Sequence, residues 1–306
     1  MSHQPSKPAP IVLFAYKRLD TLKATVEALK RNVHAAESEL IVYSDAAKNS
    51  NDEELVSAVR RYLHEITGFK SIEIREREKN YGLARSIIEG VSEVIDIHEK
   101  VIVVEDDLVT SKNFLCYMNQ SLDFYEEKDK IFSIAGFTFP INFPSHYHHD
   151  IYFSYRASSW GWATWKNRWK RIDWAIKDYS RFQNDRSIQH AFNRGGDDLS
   201  RMLKRQMSGR GDSWAIRWCY NQFKLDLYTV YPVRSKVLNI GFGHEATHTG
   251  KMEANIYSTI LDNGDCNFTF GEETMIDDSI AKSFRYQYTY RNKLLKNLKH
   301  FLGLSK

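Results

Sequence analysis

Three consecutive carboxylates, Glu105-Asp106-Asp107, follow the apolar run Val101-Ile102-Val103-Val104. A short unbroken apolar run reads as a strand buried on both faces, so its end is where the chain emerges into a crevice. Period-two alternation sends Glu105 and Asp107 to one face and Asp106 to the other. Clustered like charges are costly unless a cation or solvent neutralises them. Mg²⁺ and Mn²⁺ take hard oxygen ligands of this kind and leave positions open for phosphate oxygens. A cation there would spread the charge of a diphosphate leaving group. A solvated acidic turn would use the same residues, and the motif alone does not separate the two readings.

Further chemistry-bearing groups are spread along the chain. Asp212, in Gly209-Arg210-Gly211-Asp212-Ser213-Trp214, precedes an apolar helical stretch over residues 214–223. It can be a helix N-cap or a base that takes a proton from an attacking hydroxyl. Asp197-Asp198 is its competitor, with Asp212 the preferred base. Asn80-Tyr81-Gly82-Leu83-Ala84-Arg85 combines a turn with a helix start, whose free N–H groups suit a phosphate, and Arg85 can add a charge-assisted bond. Trp160-Gly161 opens an aromatic segment in which Trp162, Trp165 and Trp169 share a helical face, a stripe read for Trp165 and Trp169 as core. His146, His148 and His149 have no partner at zinc-ligand spacing and read as loop residues.

The elements that must position these groups follow a regular order. Apolar runs at residues 11–15, 40–43 and 101–104, and an alternating segment at 71–75, read as strands. Helical spacing over residues 20–31, with Asp20 as N-cap, and over 52–67 and 84–97 fills the intervals. This alternation predicts an α/β fold with a mostly parallel sheet flanked by helices. Ligands of such sheets bind at the carboxyl ends of the strands. Tyr16-Lys17-Arg18, Ser44-Asp45 and the acidic triplet all stand there. Beyond residue 110 the alternation stops: a helix over residues 112–127 and a strand over 131–135 precede a region of mixed signals.

With these pieces in order, the chain resembles the GT-A glycosyltransferases of bacterial family 2 and of the N-acetylglucosaminyltransferase I group. Glu105-Asp106-Asp107 is similar to their acidic motif, Ala15-Tyr16-Lys17-Arg18 to their first nucleotide-contacting turn, and Asp45 to their base-reading aspartate. Asn80 to Arg85 resembles their donor-contacting segment, and Asp212-Ser213-Trp214 the segment that carries their base. The resemblance covers residues 11–250. It implies a GT-A fold and inverting transfer from a UDP-sugar, such as UDP-GlcNAc or UDP-GalNAc, to a glycan or lipid-linked glycan in cell-surface polysaccharide assembly. Asp107 would bind Mn²⁺ or Mg²⁺. Tyr16, Arg18, Asp45, Asn80, Gly82, Arg85, Glu105, Asp106, Trp160, Gly161 and His248 would line the donor site, with Arg18 and Asp45 at the base end. Residues 11–110 would bind the nucleotide-sugar and 111–250 the acceptor. The rivals are a sugar-1-phosphate nucleotidylyltransferase, whose Gly-rich loop after the first strand is missing here, and a non-catalytic carbohydrate-binding protein.

Composition sets the remaining bounds. A net charge of +4, with 39 acidic residues interleaved among the basic ones, predicts no nucleic-acid partner. Three widely spaced cysteines, Cys116, Cys219 and Cys266, argue against a disulfide framework and suit a reducing compartment. Residues 1–10 read as a disordered tail without the apolar core of a secretory leader. A cytoplasmic location follows from these readings. In residues 251–306, a basic amphipathic helix over 290–304 could lie on the inner membrane surface or dock on its own domain.

Overall fold

The computed structural model describes residues 7–241, 259–262, 264–289, 291, 292 and 295. Its organising strand is β1 (Ile11–Ala15), every residue of which is buried. β2 (Glu39–Ser44) and β4 (Lys100–Glu105) flank β1 in parallel, and β3 (Ser71–Glu76) extends the sheet beyond β2. The connections are α1 (Leu19–Lys30), α2 (Ser50–Leu63) and α3 (Leu83–His98). Each buries one apolar stripe, for example Leu22, Val26 and Leu29 in α1, as helical periodicity demands. α3 lies so close to the sheet that a side chain at Gly90 would stand 2.9 Å from the Phe14 ring and 3.0 Å from that of Tyr43.

After this array come β5 (Leu108–Thr110), α4 (Phe114–Phe124), β6 (Ile131–Ala135), β7 (Ile151–Ser154), β8 (Trp162–Trp165) and α5 (Lys166–Trp169). There follow α6 (Tyr179–Asn184), α7 (Arg186–Phe192), α8 (Leu199–Met207), α9 (Trp214–Lys224), β9 (Tyr228–Pro232), β10 (Val237–Asn239) and α10 (Asp278–Tyr286). The main sheet runs in the order β3-β2-β1-β4-β8-β6-β9-β7, with β8 and β7 running against the rest. β5 and β10 make a separate antiparallel ribbon. This is the mostly parallel α/β sheet that the strand and helix alternation predicts.

Several local expectations need correction. Trp162 and Trp165 lie in β8, not on a helix. Inserted between β4 and β6, that strand is buried on both faces, and strand alternation sends residues three apart to opposite sides. Trp162 stacks on Trp169 at 5.7 Å and meets Trp214 and Trp218 on one side of the sheet. Trp165 belongs to the core on the other side, its indole N–H donating to the Leu122 carbonyl at 3.2 Å. The core reading of Trp165 and Trp169 therefore holds, although the helical one does not. Asp20 is not an N-cap: α1 starts at Leu19 with Arg18 in the capping position, which puts Asp20 in the first turn. There its charge favours the positive end of the helix.

The cysteines also differ from expectation. Cys116 on α4 and Cys266 form a disulfide across 150 residues of sequence, while Cys219 stays free and buried. Spacing along the chain cannot reveal a partner that only the tertiary fold brings near. The inference of a reducing compartment rested on unpaired cysteines and loses that support. Residues 7–10 lead directly into β1: Ala9 is buried and its N–H donates to Asn119 at 2.8 Å. No described helix is long and apolar enough to cross a membrane. His248 and most of the expected helix over 290–304 lie outside the described residues.

Candidate functional site

Strand order reverses between β1 and β4, and a doubly wound sheet opens its binding crevice at that reversal. Parallel register brings the ends of β2, β1 and β4 together there. The Asp45 N–H donates to the Ala15 carbonyl at 3.0 Å, and the Tyr16 N–H donates to Asp106 Oδ2 at 3.3 Å. The first residue past β1 thus touches the acidic end of β4. Its phenol reaches the other way, donating to Asp52 at 2.7 Å and accepting from the Lys48 N–H at 3.0 Å. Burial first, and then the bond to Asp52, push the Tyr16 hydroxyl up to about 12. Asp52 also takes Lys17 at 2.7 Å. The sequence reading missed Asp52, because an acid in the first turn of a helix has an ordinary electrostatic use.

β4 ends at Glu105, and the chain turns through Asp106 and Asp107. Strand alternation therefore does not extend to the two aspartates. Instead of facing apart, both meet the same atom: Arg18 Nη2 donates to Asp106 Oδ1 and, at 3.0 Å, to Asp107 Oδ2. Burial raises the Asp106 carboxyl to about 6, with Arg18 opposing the shift. Glu105 is pushed well above the usual carboxylate range by burial and by the charges of Asp107 and Asp106. The Asn239–Gly241 turn closes over the pair. The Ile240 N–H donates to the Asp107 carbonyl at 2.8 Å, and the Asn239 side chain accepts from the Gly241 N–H at 2.8 Å. A side chain at 241 would collide with the Asp107 carboxylate and stand 2.8 Å from Arg18 Nη1.

These groups fit a divalent cation. Among the described residues no three His, Cys, Asp or Glu side chains converge, but two carboxylates already converge on one positively charged nitrogen. Mg²⁺ in nucleotide sites commonly takes one or two protein carboxylates, with substrate phosphates and water completing the shell.

Asp45 is buried and hydrogen-bonded on both oxygens. It accepts from the Tyr81 N–H at 2.8 Å, from the Gly82 N–H at 3.0 Å and from the Ala46 N–H at 3.1 Å. Asn80 binds the Ala46 carbonyl at 2.8 Å. This carboxylate therefore holds the 80–82 loop against the end of β2. Gly82 takes a φ of +71°, which a residue without Cβ adopts freely, and so starts α3. The Tyr81 ring lies between the guanidiniums of Arg77 and Arg85, at 4.5 and 4.1 Å. Arg85 itself is exposed and paired with Glu89 at 2.7 Å.

Asp212 comes to the far side of that loop. A Cβ on Gly82 would lie 3.5 Å from Asp212 Oδ2. Ser213, not Asp212, caps α9 by accepting from the Ile216 N–H. The Asp212 carboxylate is exposed and makes no hydrogen bond or ion pair among the described residues. Its competitors are both engaged: Asp198 with Arg156 at 2.7 Å and Asp197 with Arg285 at 2.7 Å.

Trp160 and Gly161 directly precede β8. Trp160 packs edge-on against Phe137 at 4.7 Å. Gly161 makes its close approach to protein, its carbonyl accepting from the Gly136 N–H at 2.6 Å. Arg18 stands at the acidic pair.

No curated protein matches the chain in sequence. Among solved structures, a mannosyltransferase from Pyrobaculum calidifontis in complex with GDP-Man and Mn²⁺ aligns at 12% identity and a TM-score of 0.34. The alignment covers 45% of this chain and 38% of that one. The family model for glycosyl transferase family 2 matches residues 11–196, which is more than half of the chain and takes in every strand-end residue described above, although not Asp212. The chain therefore belongs to glycosyl transferase family 2.

Proposed function

We propose that this chain is a glycosyltransferase that uses a nucleoside-diphosphate sugar with Mn²⁺ or Mg²⁺ and transfers the sugar, with inversion, to a hydroxyl of a glycan or lipid-linked glycan. The convergence of Asp106 and Asp107 on one cationic nitrogen at the sheet's reversal point supports the reading most directly. A bound metal would take up the charge that gathers on the departing diphosphate. Asp45 holds the loop that shapes the donor crevice, and Asp212 stands across that loop as the base. In the transfer the acceptor oxygen bonds to the anomeric carbon, the bond from that carbon to the diphosphate breaks, and the acceptor proton passes to Asp212. UDP-GlcNAc and UDP-GalNAc are the first donors to try, on the likeness to the N-acetylglucosaminyltransferase I group. Assembly of a cell-surface polysaccharide is the setting that likeness suggests.

Release of nucleoside diphosphate from a panel of UDP-, GDP- and CMP-sugars, with glycan and lipid-linked glycan acceptors, tests the reading. One donor should turn over with Mn²⁺, and Asp212→Asn should cut kcat by roughly 10²–10⁴-fold with stability nearly unchanged, since the side chain is exposed. Undiminished turnover in Asp212→Asn would remove Asp212 from the mechanism.

A further inference from the structure

Two carboxylates sharing one arginine nitrogen is an arrangement in which the arginine occupies the place of an ion. Arg18 Nη2 stands between Asp106 Oδ1 and Asp107 Oδ2, and the side chain is only 17% exposed. The backbone at Gly241 closes over Arg18 and Asp107, because even a methyl group there would meet both. The Ile240 N–H fixes that turn to the Asp107 carbonyl. The space between the carboxylates holds one cationic centre. A divalent ion bound by both carboxylates needs its oxygens at about 2.0–2.6 Å, and the position between Asp106 Oδ1 and Asp107 Oδ2 that it would take is the one Arg18 Nη2 holds.

We infer that Arg18 is the exchangeable counter-ion of the donor-metal site: it neutralises Asp106 and Asp107 in the free enzyme and cedes them when a divalent cation arrives. This rests on the donor-site reading above and adds a role for Arg18 at its centre. A guanidinium keeps its charge at every working pH, so it does not leave by losing a proton. Asp106, buried, does not stay uncompensated. Exchange for another cation satisfies both conditions. The released guanidinium is a fork suited to phosphate oxygens, so the anion that accompanies the metal supplies its new partner. Binding of metal and of nucleoside diphosphate is thereby coupled: each is weaker without the other.

The test measures Mn²⁺ binding, by calorimetry and by the paramagnetic resonance of free Mn²⁺, to wild type and to Arg18→Gln, with and without UDP, GDP or CMP. Without nucleotide, Arg18→Gln is expected to bind Mn²⁺ at least about tenfold more tightly than wild type, a difference of roughly 1.4 kcal/mol. Its dependence on nucleotide should shrink correspondingly. Its melting temperature should fall in metal-free buffer and rise with Mn²⁺ by more than that of wild type. Should Arg18→Gln fail to fold without metal, recovery of the fold in Mn²⁺ gives the same support, and failure in Mn²⁺ as well overturns the inference. Equal or weaker Mn²⁺ binding by folded Arg18→Gln also overturns it. If wild type then still binds nucleotide with Mn²⁺, the donor site stands and only the exchange is lost. Absence of Mn²⁺ binding in both proteins, with every nucleotide, removes both.

Discussion

Asp106-Asp107 and Asp197-Asp198 are both adjacent aspartates beside arginines, yet the fold holds them differently. The first pair shares a single Arg18 nitrogen at the open end of the sheet. Each member of the second pair has its own arginine: Arg156 for Asp198 and Arg285, on α10, for Asp197. The face of Arg156 also lies 3.8 Å over the Tyr288 ring, and neither Arg156 nor Asp198 has more than a narrow exposed edge. A separate arginine on each carboxylate makes a clamp, which fastens the segment that follows Met275 to the loops around β7 and α8. One cation for two carboxylates leaves coordination to be supplied from outside. What the comparison teaches is that charge count does not identify a binding site; the ratio and sharing of partners does.

The clamp side of the comparison carries the larger effect on stability. Asp198→Ala strands the buried Arg156 guanidinium, and breaking a buried pair in this way costs about 3–5 kcal/mol, measurable by urea unfolding. Asp197→Ala, whose partner Arg285 is well exposed, should cost about 1 kcal/mol or less by the same measurement. Similar costs for the two would break the distinction within the clamp.

The second fastening of the C-terminal segment is the Cys116–Cys266 disulfide. Near it, Asp262 binds the buried Lys236 and accepts from the Asn113 side chain at 2.9 Å. Replacing both cysteines by serine should cost about 2–5 kcal/mol, since the bridge closes a long loop in the unfolded chain. Neither this change nor the Asp198 one touches a strand-end residue, so Mn²⁺-dependent nucleotide binding by the folded fraction should stay within about twofold, well under the 1.4 kcal/mol that a tenfold change represents.

The same contrast explains what could be read from the sequence. β1, β2 and β4 were legible because buried parallel strands are continuous apolar runs, β3 because an edge strand alternates, and α1 to α3 because their apolar residues keep a clear 3.6-residue period. The rule that ligands meet strand ends then found Asp45, Arg18, Asp106 and Asp107 together. β7, β8 and β9 were not legible: they are short, aromatic and paired out of sequence order, and the spacing of Trp162, Trp165 and Trp169 imitates a helix. The sharing of Arg18 was also hidden, because the chain turns after Glu105 and alternation no longer orients the aspartates. Asp52 and the cysteine pair depended on contacts across 36 and 150 residues, which no local pattern encodes. Asp212 was singled out by its glycines, but its freedom from capping became clear only when Ser213 took that role.

The most direct test of the account is calorimetric titration of UDP, GDP and CMP, with and without Mn²⁺, into wild type and Asp107→Ala. The account expects one nucleotide to bind with Mn²⁺, and that binding to be lost in Asp107→Ala while the variant remains folded. Binding of no nucleotide under either condition, or binding that is indifferent to both Mn²⁺ and Asp107, would contradict it.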